Sequence, residues 1–156
     1  MPEPAAARLL RLWRRLEPVP GGKWLFARML GRSVPYTGSI GARIETLEPG
    51  HARVSLRDRR AVRNHLDSIH AIALANLGEV ATGLAMLTAA AGARSILVSL
   101  QLEYRKKARG LLLAECRCAP PVVTEPVEVK VAANITDAVG DIVAVATATW
   151  RLAPPT

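Results

Sequence analysis

The pattern of hydrophobic and polar positions divides the chain into a helical start, two strands, one long apolar helix and four further strands. Over residues 5–16, Leu9, Trp13 and Leu16 recur at helical spacing opposite a basic face, which predicts an amphipathic helix. The Pro- and Gly-rich residues 18–22 end it. A second, shorter helix is predicted over residues 23–30, and together the two helices form an N-terminal arm.

Beyond a turn region at residues 35–41, the apolar period changes from 3.6 to 2. Ile40, Ala42 and Ile44 predict a first strand, and a hairpin turn at 49–50 leads into a second strand around residues 52–57. A polar loop over 58–68 precedes the long helix. Four more strands are predicted after it, at residues 95–104, 111–118, 127–136 and 142–152.

The long helix, predicted over residues 69–91, is apolar around its whole circumference, which is typical of a buried helix. Its middle nevertheless carries Asn76, Glu79 and Thr82. Burying a carboxylate without a partner costs several kcal/mol or shifts its pKa. Glu79 is therefore the first candidate for a functional residue.

The segregated order of elements predicts an α+β fold with an antiparallel sheet of about six strands. One flat face cannot bury a helix that is apolar on all sides. The sheet must therefore curl around the helix, or a second subunit must cover part of it. We predict two parts, a helical arm over residues 1–34 and the main domain over residues 35–156.

The formal net charge of +8 first suggests a nucleic acid or a membrane surface as a partner. Five of the eight excess charges fall in residues 1–32, however, and the later basic group at 105–109 lacks interleaved aromatic residues for stacking on bases. We expect no nucleic acid partner. The arm is expected to pack over the main domain or a partner subunit, with attachment to a membrane surface as the alternative.

Several further features indicate a cytoplasmic protein. The first apolar run is broken by arginines, unlike a signal peptide, and the longest apolar stretch contains Asn76 and Glu79, so we expect no membrane-spanning segment. Cys116 and Cys118 are expected to be reduced thiols on opposite faces of one strand. The three histidines lack carboxylate or thiolate partners at metal-binding spacing, so no metal site is expected.

The loop-to-helix segment carries a resemblance to a known family. Asn64 precedes the helix, the His70-Ala71 pair begins it, and Glu79 follows nine positions after His70. Over residues 38–152 this arrangement resembles the hotdog-fold acyl-CoA thioesterases related to the phenylacetate-pathway thioesterase. The segments RNHLDSIHAIALANLGEVATG and LEYRKKARG are most similar to a largely uncharacterised bacterial branch of that superfamily. Those thioesterases read His-Gly-Gly where this chain has His70-Ala71-Ile72.

The resemblance implies hydrolysis of an acyl-CoA thioester by dimers, often paired into tetramers, with sites at the subunit interface. Coenzyme A then enters as part of the substrate, and no separate cofactor is expected. The chemistry agrees, because the free amides around Ala71 at a helix N-terminus suit an oxyanion. Glu79 is the expected base or nucleophile. Since Ala71 and Glu79 are about 12 Å apart along one helix, they can meet only across two antiparallel subunits.

Three other residues of this stretch have expected roles with open alternatives. Asn64 positions the carbonyl or the water, or it only closes the loop. His70 orients the substrate or holds the loop. Thr82 hydrogen-bonds Glu79 or the attacking water. Glu79 itself has an alternative role, as an interface carboxylate paired with an arginine of the partner subunit.

The basic group of Arg105, Lys106, Lys107 and Arg109 is expected to bind the phosphates of coenzyme A, with a solvated turn as the alternative. The acyl preference is expected to depend on groove residues from two subunits: Tyr36, Leu84, Met86 and Leu87. A different class of function also remains open. His70-Ala71 in place of His-Gly-Gly suits a non-catalytic protein that binds acyl groups or acyl-CoA in the same groove.

Overall fold

The computed structural model describes residues 3–90 and 92–155. Its helices and strands follow the order predicted from the sequence. The helices are α1 (Ala5–Leu16), α2 (Gly22–Ser33), α3 (Pro35–Ser39) and α4 (Ala71–Ala89). The strands are β1 (Arg43–Glu48), β2 (His51–Arg57), β3 (Arg94–Tyr104), β4 (Leu111–Arg117), β5 (Val127–Thr136) and β6 (Ile142–Ala153).

The six strands form one antiparallel sheet in the order β1-β2-β4-β5-β6-β3. The sheet curls around α4, which contacts all six strands. Small side chains allow this close approach; at Gly78, for example, an added Cβ would lie directly against the Ala146 side chain. This is the predicted α+β architecture of a curled sheet around one apolar helix.

Helix α4 is buried on most of its surface, as predicted, but it keeps one open stripe. Away from its two ends, the residues that are not fully buried are Ile72, Ala75, Glu79, Gly83 and Leu87. Their spacing places them on one face of the helix. The single acid of α4 therefore lies in the middle of the face that the described residues bury least.

The start of α4 differs by two residues from the prediction of 69–91, because His70 is the N-cap rather than a helical residue. The predicted end at Ala91 lies outside the described residues. By length and composition alone α4 could cross a membrane, yet 67% of its most apolar window is buried inside the protein. That burial is typical of a core helix.

The N-terminal arm packs against the main domain of the same chain. Trp13 of α1 and Phe26 of α2 are 2% and 1% exposed and join the core cluster that includes Ile44 and Leu77. Their rings meet edge to face, with centroids 5.1 Å apart. Full burial of each such side chain is worth about 1.5–3 kcal/mol, so the arm is firmly attached. The division at residues 34 and 35 stays a prediction.

Three local predictions were wrong. Residues 35–39 form a short helix instead of a turn, so β1 begins at Arg43 rather than near Ile40. A β-bulge between Ile44 and Thr46 breaks the alternation, so Ile44 and Leu47 both face the core. The free thiols of Cys116 and Cys118 lie close enough to shift each other's pKa, which is raised for Cys116 and lowered for Cys118, because residues two apart in an extended chain share a face.

Candidate active site

Glu79 lies between two apolar cavities on the open stripe of α4. The larger cavity, of about 590 Å³, lies between α4 and the arm. The smaller one, of about 270 Å³, is bordered by Tyr36, Ile72, Asn76 and Leu100 among others. Both cavities include Glu79. Among residues 3–90 and 92–155, no side chain forms a salt bridge or hydrogen bond with its carboxylate.

Burial raises the pKa of Glu79 above its ordinary value, and it is the only cause of the shift. Arg8 borders the same large cavity, but it does not offset this shift. A carboxylate with a raised pKa holds a proton more tightly, which brings it closer to the range in which a general base works well near neutral pH. Glu79 therefore has the setting of a catalytic acid or base.

The start of α4 borders a third cavity, of about 330 Å³. Asn64, Ala71 and three residues of the basic group, Arg105, Lys106 and Lys107, line it together. The structure thus brings most of the predicted binding residues to one place. His70, which is exposed, and Arg109 do not line this cavity.

Asn64 closes its loop, and part of its side chain stays free. Its Oδ1 accepts hydrogen bonds from the amides of Leu66 at 2.9 Å and Ser68 at 3.3 Å. This is an Asx-type turn. The hydrogen bonds among the described residues do not use the Asn64 side-chain amide protons. Asn64 can therefore hold the loop and still donate to a ligand.

His70 caps α4 with its side chain, since its Nδ1 accepts a hydrogen bond of 3.0 Å from the Ile72 amide. The Leu74 amide donates to the His70 carbonyl. Among the described residues, the amides of Ala71 and Ala73 then remain unused in the first turn. Free amides at the positive end of a helix dipole suit an anion or an oxyanion.

The basic group is partly neutralised by the chain itself. Lys106 Nζ donates to Asp137 at 2.7 Å and to Asp141 at 2.8 Å, and these hydrogen bonds raise the pKa of Lys106. Arg109 donates to the carbonyls of Asp67 and Leu66, which fixes the loop that carries Asn64. Arg105 also pairs with Glu103 at 3.4 Å. Among the described residues Lys107 has no carboxylate partner, so it is the better placed cation for a phosphate ligand.

Two other predicted residues have different positions from those expected. Thr82 is fully buried, and its hydroxyl donates at 3.0 Å to the backbone carbonyl of Glu79 rather than to the carboxylate. Met86 was predicted to line the groove, but it is 0% exposed and packs with Trp150 in the core. That prediction was wrong, because Met86 faces the sheet and not the open stripe of α4.

Sequence reasoning missed two aromatic residues beside the site. The Tyr104 hydroxyl donates to the Ala71 carbonyl at 3.0 Å and so fixes the first turn of α4. Trp150 borders the large cavity with Glu79. Tyr104 lies directly before the basic group in the sequence, and this proximity could have indicated that it belongs to the site. The position of Trp150 beside α4 depends on the sheet, and no local motif indicates it.

The two halves of the predicted site do not meet within one chain. Asn64 and Ala71 border the cavity at the start of α4, and Glu79 borders the other two. The helix rise puts about 12 Å between Ala71 and Glu79. Among the described residues, no group of three or more His, Cys, Asp and Glu side chains is placed to hold a metal ion.

Residues 22–152 match a family described as "Domain of unknown function (DUF4442)". The chain belongs to this family. The match begins at the first residue of α2, so α1 lies outside it. No curated protein matches the sequence.

Solved structures show the fold. A Pseudomonas aeruginosa protein of unknown function, described as a probable thioesterase, is 26% identical with a TM-score of 0.74, over 86% of this chain and 96% of its own. A mutant of the phenylacetic acid degradation protein PaaI from Thermus thermophilus is 19% identical with a TM-score of 0.65, over 77% and 99%. The hotdog fold predicted from the sequence is confirmed.

A third similar structure is a hypothetical thioesterase from Streptococcus pneumoniae, solved with coenzyme A. It is 19% identical to this chain with a TM-score of 0.67, over 80% of this chain and 98% of its own. The chain thus belongs to a fold group in which several members are described as thioesterases.

Proposed function

We propose that the protein is an acyl-CoA thioesterase whose active sites each combine Glu79 of one subunit with the α4 start of another. The observation that carries this proposal is Glu79 itself. It is a partly buried acid with a raised pKa, has no ionic or hydrogen-bond partner among residues 3–90 and 92–155, and lies at the centre of the least buried stripe of a core helix. The descriptions of similar structures as thioesterases support it.

A homodimer follows from an unpaired strand edge. Strand β3 is eleven residues long and lies at the edge of the sheet, where β6 is its one pairing partner within the part of the chain that the structure describes. It exposes Ile96 and Val98 at 67% and 41%. A long apolar edge is a template for pairing with another chain. Antiparallel pairing of two β3 strands about a two-fold axis would set the two α4 helices antiparallel, with Glu79 of each facing the start of the other.

Each of these groups has a role in one step of the proposed thioester hydrolysis. The amides of Ala71 and Ala73, with the Asn64 side-chain amide, stabilise the negative oxygen that forms on the thioester carbonyl. As a base, Glu79 takes a proton from water while the water oxygen bonds to the carbonyl carbon. The carbon–sulfur bond then breaks, and the proton on Glu79 passes to the coenzyme A thiolate. As a nucleophile, Glu79 would instead form an acyl anhydride that water hydrolyses.

Coenzyme A enters as part of the substrate in this proposal. Its phosphates are placed at the cavity around the start of α4, near Arg105 and Lys107. Cations and a helix N-terminus together form a favourable site for phosphate. A similar structure solved with coenzyme A supports this assignment.

Release of free thiol from a panel of aliphatic and aromatic acyl-CoAs is the direct experiment. We expect turnover by the full-length wild-type chain, measured with a thiol-reactive dye. Saturable acyl-CoA binding without turnover would instead favour a non-catalytic binding protein. That second function is favoured by Ala71 and Ile72, which bring side chains to the start of α4 where the similar thioesterases carry glycines.

The double variant Ile96→Lys/Val98→Lys tests the dimer. Charged side chains on an edge strand oppose pairing, so the variant is expected to become monomeric in analytical ultracentrifugation and to lose thioesterase activity with it. Val139→Lys is the matched control, since Val139 is 81% exposed in the β5–β6 hairpin, which approaches the opposite end of β3 from Ile96 and Val98. A double variant that stays dimeric and active would contradict the β3 interface.

A further inference from the structure

The cavity between α4 and the N-terminal arm has one wall made by the arm. Its volume of about 590 Å³ lies in the usual range for small-molecule sites. Helix α1 contributes Leu9 and Leu12, and the end of α2 contributes Leu30. The opposite wall is α4, and Trp150 and Ser95 of the sheet complete the lining.

The cavity is mainly apolar, and the acid lies at one end of its α4 wall. Its other polar lining residues are Arg8, Ser33, Thr37 and Ser95. On α4 its lining residues run from Glu79 through Val80, Gly83 and Leu84 to Leu87. The rise of the helix gives about 12 Å between Glu79 and Leu87. This shape suits a flexible apolar chain whose polar end lies at the carboxylate.

Gly83 lets Trp150 and Glu79 lie close to each other on the α4 wall of the cavity. A Cβ at this position would lie 3.2 Å from two ring carbons of Trp150 and 3.6 Å from Oε1 of Glu79. Glycine inside a helix costs about 1 kcal/mol relative to alanine. At Gly83 the missing side chain therefore lets the indole ring pack against the helix beside the acid, where all three residues border the cavity.

We propose that this cavity holds the acyl chain of the substrate, with the thioester carbonyl at Glu79 and the end of the chain between Leu87 and α1. The ligand class is an aliphatic acyl group of medium length. This inference rests on the proposed thioesterase function and deepens it. Because α1 lies outside the family match at residues 22–152, this one helix of the arm contributes to acyl specificity from outside the family domain.

Larger side chains inside the cavity test the proposal. Leu9→Phe narrows the arm wall and Leu87→Phe shortens the far end, and kcat/KM is compared for butanoyl-, octanoyl-, dodecanoyl- and palmitoyl-CoA. Both variants are expected to prefer shorter chains, with a loss of about fourfold for each methylene that no longer fits. Leu10→Phe is the matched control, because Leu10 is equally half-buried on α1 but does not line the cavity.

A smaller side chain in the cavity should have the opposite effect on chain-length preference, which misfolding would not produce. Leu87→Ala lengthens the cavity and is expected to move the preference towards palmitoyl-CoA. The proposal is overturned if Leu9→Phe, Leu87→Phe and Leu87→Ala all keep the chain-length profile of Leu10→Phe while hydrolysis continues. In that case the thioesterase function stands and the acyl site lies elsewhere.

Binding of decanoic acid separates the two proposals. Isothermal titration calorimetry is expected to show that the wild-type chain binds decanoic acid and that Leu9→Phe weakens this binding at least tenfold, whereas Leu10→Phe does not. If no acyl-CoA is hydrolysed but this binding pattern holds, the thioesterase proposal fails and the acyl cavity stands. Decanoic acid binding that is equal in Leu9→Phe and Leu10→Phe overturns the cavity assignment.

Discussion

Glu79→Gln is expected to lower kcat for acyl-CoA hydrolysis by about 10²- to 10⁴-fold, the usual contribution of a general base, while the dimer stays folded. Glutamine has the same shape but cannot take a proton from water or attack the thioester. Thiol release and analytical ultracentrifugation measure the two parts of this result. Glu125→Gln is the matched control, because Glu125 is exposed and lies outside the cavities described here. A fully active Glu79→Gln variant would remove the basis of the proposed mechanism.

The same variant has a predictable effect on stability. The pKa of Glu79 is 4.5 in its ordinary state and is raised in the folded chain by burial. At a pH between the pKa of Glu79 in the unfolded chain and its higher pKa in the folded chain, Glu79 is protonated in the folded chain and ionised in the unfolded chain. The free energy of unfolding of the wild type therefore falls as pH rises through this window, and it stays lower above the folded pKa.

Glu79→Gln removes that cost of a buried charge, so the variant should be more stable than the wild type at neutral pH. The difference should vanish at a pH below 4.5, where Glu79 is protonated in both states. The charged and titratable side chains that border the same two cavities are Arg8 and Tyr36. Urea unfolding across this pH range measures the effect, and wild-type activity should rise with pH through the folded pKa of Glu79.

Mixing two inactive variants is expected to restore activity if the site is shared between subunits. Asn64→Asp keeps the Oδ1 that closes the loop and loses the two amide protons. In a mixed dimer with Glu79→Gln, one site combines an intact Asn64 with an intact Glu79, and the other site carries both changes. Random pairing makes half of the dimers mixed, so about a quarter of the wild-type activity should return.

Recovery of activity in mixed dimers distinguishes an active site shared between two subunits from one contained in a single chain. Co-expression of the two variants with different affinity tags allows the mixed dimer to be purified, and it should then show about half of the wild-type rate. Each variant alone is the control for residual activity. If the purified mixed dimer is no more active than the two parents, Asn64 and Glu79 do not serve the same active site.

The regular part of the fold could be predicted from the sequence because its apolar periods are local. Strand β5 agrees with its predicted bounds, and α4 differs by two residues at its start. The bulge at β1 could not be predicted in this way, since it depends on pairing with β2. The short helix α3 was missed for a related reason, because Asn76 of α4 holds it through the Tyr36 carbonyl.

In the candidate site, too, features set by neighbouring residues could be predicted from the sequence, and features set by distant residues could not. Asn64, Ala71 and residues 105–107 of the basic group border one cavity, because a single loop and the end of β3 position them. Lys106 was predicted to bind phosphate, but Asp137 and Asp141 already hold its ammonium group. These partners lie more than thirty residues away in the sequence, so no local pattern indicates them. The cavity between the arm and α4 likewise depends on tertiary packing that no sequence period indicates.

The position of α1 outside the family domain has a consequence for how such proteins diverge. The acid, the helix start and the β3 edge all lie within residues 43–104, whereas α1 forms a separate wall over residues 5–16. Replacement of that one segment could change which fatty acyl group is accepted without altering the machinery that cleaves it. Grafting α1 sequences between relatives would then exchange their substrate ranges, so the arm is a natural module for both evolution and engineering.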